Sequence, residues 1–186
     1  MEAIKKIELS KIAKIILVAM LGTLLLTISA KIKIPFYPVP MTMQTFIVLF
    51  LGITLGPKIG LLTVSLYLFE GIFGLPVFAG TPEKGIGLIY FTGPTMGYLI
   101  GFLVAVYFAG SFKYDKGSIN TFLKLIFSVS FIYILGLIWL GTLIGWDKPI
   151  FKLGAEPFLL AELFKMLLLL FLIPTLSKAK KLIKIT

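Results

Sequence analysis

Six nearly uninterrupted apolar runs, parted by short clusters of lysine, glycine and proline, restrict this chain to folding in a lipid bilayer. Hydrocarbon offers no partner to a peptide N–H or C=O. Each run must therefore satisfy its own backbone, which a helix does. The runs fall at about 12–30, 41–56, 59–73, 95–112, 119–141 and 158–173. The expected fold is an all-α integral membrane protein, a six-transmembrane-helix bundle forming one domain over residues 1–186. Composition agrees: 59% of residues are hydrophobic and 14% charged, where a wetted soluble surface brings about a quarter charged.

The punctuation is as informative as the runs. Pro35, Pro38 and Pro40 keep the segment after the first run from being helical throughout. Gly56, Pro57 and Lys58 mark a turn between the second and third runs. A glycine- and proline-bearing stretch joins Gly74 to Pro94, and Lys113 to Ser118 form a polar loop. Pro157 suits the first turn of the last helix, and Pro174 marks its expected end. Runs two, three and six hold near 16 residues, roughly 24 Å of helix, which is short for a bilayer. The apolar loops, 74–94 above all, are expected to dip into the protein body and complete the apolar layer. The lysine-led start resembles that of a signal peptide, but no small-x-small cleavage site with a soluble chain follows, so a retained first helix is expected. The pairs Gly56-Pro57 and Gly93-Pro94, each followed by a glycine three residues on from the proline, form a weak repeat that two independent helix starts also explain.

The net charge of +10 arises from lysine without arginine. Lysines that flank apolar runs anchor against lipid headgroups and set orientation, so no nucleic-acid partner is inferred. If both termini share one side, 12 of the 18 Lys+Arg residues fall on that side, 5 on the other, and Lys165 lies within a run. Both termini are expected in the cytoplasm, which puts loops 31–40, 74–94 and 142–157 on the outer face. The chain has no cysteine and no histidine, and neither a Walker glycine loop nor a dinucleotide fingerprint. No catalytic site, cofactor or metal site is expected; a protein with a binding site but no engine either works by passive flux or borrows energy from a partner.

Glu162 and Lys165 are the strongest chemical clue. Three residues apart in the last run, they share a helix face and reach one another. Ionisable groups inside a span turn toward a partner or a ligand. They form either an ion pair that locks packing or a polar anchor for a solute. Glu70, near the end of the third run, suits a ligand contact, a cap for loop amides or the headgroup zone. Gln44, Phe78, Thr81, Tyr90, Thr95 and Tyr98 gather in the outer region, either as the wall of a pocket or as an interfacial aromatic belt. Gly97 and Gly101 suit close helix packing within the protein. Ala19, Gly22 and Thr23 suit packing or contact with another subunit.

Pro38-Val39-Pro40-Met41-Thr42-Met43-Gln44-Thr45, Leu55 to Gly60, Gly71 to Gly80, Gly93 to Phe102 and Pro157 to Lys165 together resemble the biotin-specific substrate-binding subunits of the BioY family. The resemblance runs over roughly residues 15–175. It implies an S component of an energy-coupling factor transporter, a six-helix protein of the prokaryotic cytoplasmic membrane that binds biotin tightly from outside. It also implies a transmembrane coupling subunit and two cytoplasmic ATPases as partners, which drive tilting and inward release. Glu162 and Lys165 match the family's acid and lysine, with glutamate where aspartate is commoner. Thr81-Pro82-Glu83-Lys84 replaces a more glycine-rich loop, a site arginine has no counterpart, and Ala19-xxx-Thr23 only approximates the docking motif. The readings that compete with it are an S component for another vitamin-like solute, a stand-alone channel or facilitator, and a structural membrane subunit.

Overall fold

The computed structural model describes residues 2–35, 37–114 and 119–182, with side chains from 11 to 176 within those stretches. The polar loop expected at 115–118 and the side chains of the terminal lysine clusters lie outside the described residues. The α-helices are α1 (Glu2–Lys31), α2 (Gln44–Ile72), α3 (Met96–Ser111), α4 (Ile119–Ile144), α5 (Ile150–Gly154) and α6 (Leu159–Leu182). A small antiparallel hairpin pairs β1 (Lys33–Ile34) with β2 (Met41–Thr42) on either side of the prolines, so Met41 and Thr42, expected to open the second helical run, are strand and the helix starts at Gln44. Turns of 3-10 helix occupy Gly87–Thr92 and Glu156–Phe158, the second holding Pro157 just ahead of α6.

Among the described residues, four stretches are long and apolar enough to cross a membrane: Lys11–Lys31, Gln44–Ile72, Ile119–Ile144 and Ile150–Leu176; Met96–Ser111 is a shorter apolar helix. The protein is thus a multi-pass membrane protein. The second and third expected runs are the two arms of α2, which breaks at Gly56 (φ 78°, ψ 175°), a conformation open essentially to glycine alone. The break reverses the chain. Gln44 Nε2 donates to the Tyr67 hydroxyl at 2.8 Å although they are 23 residues apart, a separation of about 35 Å along a straight helix. A methyl group on Gly60 would lie 3.4 Å from the Cα of Gly52, so the arms lie against each other. Gly110 of α3 rides directly on the backbone of Gly56 and Pro57. The second pair of the weak repeat behaves differently, since Gly93 is in ordinary extended backbone at φ −82°. The two pairs are independent helix starts.

Helix α3 is wedged between α2 and α4, with Ala105, Val106 and Ala109 fully buried. Gly97 and Gly101 let its backbone approach Leu135 and Ile132 of α4, the internal packing expected of them. Three expectations need correction. Pro174 does not end the last helix, because Ile173 and Leu176 on either side of it are buried in the core and packing carries α6 through to Leu182. The segment 142–157, expected as a loop, contains the unforeseen short helix α5. Ala19, Gly22 and Thr23 do not face outward toward a partner. They are buried against α2, where a methyl on Gly22 would collide with Thr63, and α1 instead exposes Ile16, Leu17, Met20, Leu21 and Leu24.

Candidate solute-binding site

The first turns of α6 place Glu162 and Lys165 on one face, opposite the start of α2. Lys165 Nζ donates to Glu162 Oε1 at 2.8 Å, to the Thr42 carbonyl at 2.6 Å and to Thr45 Oγ1 at 3.0 Å. Thr45 in turn donates its hydroxyl to Glu162 Oε1 at 2.8 Å. Both ionic side chains are buried, 4% exposed at Glu162 and 7% at Lys165, so this ion pair sits where desolvation is costly and full hydrogen bonding is required. Lys165 meets that requirement, with all three N–H groups engaged. Glu162 does not. Its Oε2 is the one buried side-chain oxygen or nitrogen among the described residues without a hydrogen-bond partner, although the Tyr133 phenol lies near the carboxylate.

Glu162 forms part of the wall of a cavity of about 50 Å³, bounded by the start of α2, the hairpin, the 77–95 segment, α3, α4 and the entry to α6. Gln44, Tyr90, Thr95, Tyr98 and Glu162 line it, as does Tyr133. Tyr98 and Tyr133 meet edge to face at 6.1 Å, and Phe158 closes the aromatic side 6.5 Å from Tyr133. Tyr98 is pinned by its hydroxyl donating to the Gly154 carbonyl at 2.8 Å. Burial pushes the Tyr90 phenol above its ordinary value, with Thr95 pulling it back, so it serves as a neutral donor to the Ala79 carbonyl at 2.8 Å. A second, more apolar hollow of about 390 Å³ lies between the hairpin and α6 and shares Met41 and Thr42 with the first. Lys165 lines this second hollow and not the first, so the ion pair stands in the partition between them.

The other expected residues lie elsewhere. Phe78 is 1% exposed and locked in the core, stacked on Tyr90 at 4.7 Å and edge-on to Tyr67 at 5.2 Å. Thr81 binds Lys31 rather than the cavity, and Glu70 is half-buried on α2 away from the cavity wall. The loop 74–94 does dip into the body, burying Val77, Phe78, Ala79 and Tyr90. Sequence reasoning missed Thr42, Thr45, Tyr133 and Phe158. Tyr133 carried a usable signal, for a phenol in the middle of the longest apolar run needs a polar partner when buried.

A helical multi-pass membrane protein with a buried carboxylate in the wall of an aromatic-lined cavity belongs to the solute-binding class of membrane proteins. The chain is a member of the BioY family, whose family model matches residues 3–182. The probable biotin transporter BioY of Pyrococcus horikoshii is 35% identical over 153 residues, covering 82% of this chain and 90% of that one. The biotin transporter BioY of Thermotoga maritima is 36% identical over 145 residues, 77% of this chain and 84% of that one. Among solved structures, the crystal structure of the S-component for biotin from an ECF-type ABC transporter superposes with a TM-score of 0.75. It is 25% identical, and the match covers 91% of this chain and 93% of that one.

Proposed function

We propose that this chain is the biotin-binding S component of an energy-coupling factor vitamin transporter, a non-catalytic subunit that crosses the membrane six times. The crossings are α1, the two arms of α2, α3, α4 and α6. Biotin enters from the outer face, and a transmembrane coupling subunit with two cytoplasmic ATPases drives its inward release. The observation that carries this reading is Glu162, a buried carboxylate of the cavity wall whose Oε2 has no hydrogen-bond partner among the described residues. A buried acceptor left unpaired costs about 1–3 kcal/mol, and more when charged. A ureido N–H of biotin relieves that cost with a charge-assisted hydrogen bond. The rings of Tyr98, Tyr133 and Phe158 supply apolar walls for the bicycle, and Gln44 and Thr95 supply polar groups for its remaining oxygen atoms. Lys165 pairs with Glu162 and orients its carboxylate. The cavity of about 50 Å³ has room for a few waters, so a bicyclic solute enters by displacing part of the wall.

Labelled biotin offered to the purified chain in detergent tests the reading. Saturable retention near nanomolar concentration is the expected result, and no retention by demonstrably folded protein overturns it. Co-purification with an ATPase and scaffold complex tests the partner half separately.

A further inference from the structure

Three consecutive carbonyls beside the cavity are each held by a side chain from a different element. Tyr67 of α2 donates to Val77 O at 3.0 Å, and Tyr90 donates to Ala79 O at 2.8 Å. Between them, Lys31 Nζ at the end of α1 donates to Phe78 O at 3.0 Å, to Thr81 O at 3.3 Å and to Thr81 Oγ1 at 3.1 Å. A lysine in the last turn of a helix ordinarily serves its own helix carbonyls. This one reaches acceptors 47 and 50 residues away, and all three of its N–H groups go to one short segment. Ala79 in that segment is part of the cavity wall.

The three tethers differ in one respect. Tyr67 and Tyr90 are buried, so releasing either hydroxyl strands a polar group away from water. Lys31 is exposed, and water can take the place of each acceptor as it leaves. Its contacts are the ones that break at least cost. The remaining boundaries of the cavity are packed helices and the short hairpin; segment 77–81 is anchored in the core by the Phe78 ring, but its backbone has no helical ladder to break when it shifts.

We infer that Lys31 is a positioning residue that latches segment 77–81 over the cavity and sets how fast solute passes in either direction. This rests on the biotin-binding reading above for its choice of probe. A latch on a shared path acts on entry and exit alike, and it does not touch the solute. Neutralising it therefore accelerates both steps and leaves the equilibrium nearly unchanged.

The test uses the full chain in lipid nanodiscs, with association and dissociation of labelled biotin followed separately. Hydrogen exchange of the amides in 77–85 is measured without biotin. Lys31→Met is expected to raise both rate constants about tenfold, with Kd moving less than threefold and the midpoint of thermal unfolding unchanged. Exchange in 77–85 rises in the same variant, and Lys31→Arg, which keeps the charge and the reach, restores slow rates. Unaltered rates together with unaltered exchange overturn the latch, as does a change in dissociation alone, which marks a direct ligand contact. If the unmodified chain retains no biotin, the binding reading fails by itself, and the exchange measurement still decides whether Lys31 holds the segment.

Discussion

Glu162 has two oxygens in two different situations, and the chemistry of the site follows from that difference. Oε1 accepts from Lys165 and Thr45, whereas Oε2, on a residue of the cavity wall, has no hydrogen-bond partner among the described residues. Glu162→Gln keeps the shape and an acceptor for Thr45 but removes the charge and places a donor amide where an acceptor is needed. Biotin affinity is expected to fall tenfold to a hundredfold, about 1.4–2.7 kcal/mol, by equilibrium binding. Lys165→Ala is expected to weaken biotin at least tenfold and to lower folding stability by about 3–5 kcal/mol, because a buried carboxylate loses its counter-charge. Since every Lys165 N–H is engaged with protein, its effect runs through Glu162. The double variant should therefore bind little worse than Glu162→Gln alone, and additive losses would place Lys165 on the ligand directly. The spacing of these two residues made them legible as a doublet from the sequence. Which oxygen would be free was not legible, because that depends on Thr42 and Thr45, more than a hundred residues earlier in the chain.

At the level of elements, what was legible is what local chemistry dictates. Pro35, Pro38 and Pro40 excluded helix, and Gly56-Pro57 marked the boundary between two runs that fold back as the arms of α2. The misreadings came from packing. Pro174 looked like a stop, yet buried Ile173 and Leu176 hold α6 through it, and the small face of α1 turned out to be filled by Thr63. The reversal at Gly56 yields its own prediction. Any side chain at φ 78°, ψ 175° carries about 1–3 kcal/mol of backbone strain, although nothing lies within 4 Å of where a Cβ would go. Gly56→Ala should thus lower the midpoint of thermal unfolding without any clash. Equal stability of Gly56→Ala and the unmodified chain would mean that the arms do not reverse at this residue.

Across the whole molecule, the segments that lysine counting assigned to one face come together at one end. Lys31 binds Thr81, Trp139 donates to the Gly93 carbonyl and Tyr98 to the Gly154 carbonyl, which gathers the hairpin, the 74–94 loop and the α5 region around the cavity. At the opposite end, Gly110 meets Pro57 beside Lys58. For a chain whose sequence gathers most of its lysines in the segments assigned to the other face, the positive-inside rule predicts that the cavity faces the exterior. Because the sequence contains no cysteine, the prediction is open to direct labelling. Cysteine placed at exposed Lys84, in the loop over the cavity, should react with a membrane-impermeant maleimide on intact cells. Cysteine at exposed Lys58, in the turn between the arms of α2, should react only after the membrane is opened. The reverse pattern would put the unpaired Glu162 oxygen on a path from the cytoplasm, and a subunit so oriented could not collect its solute from outside.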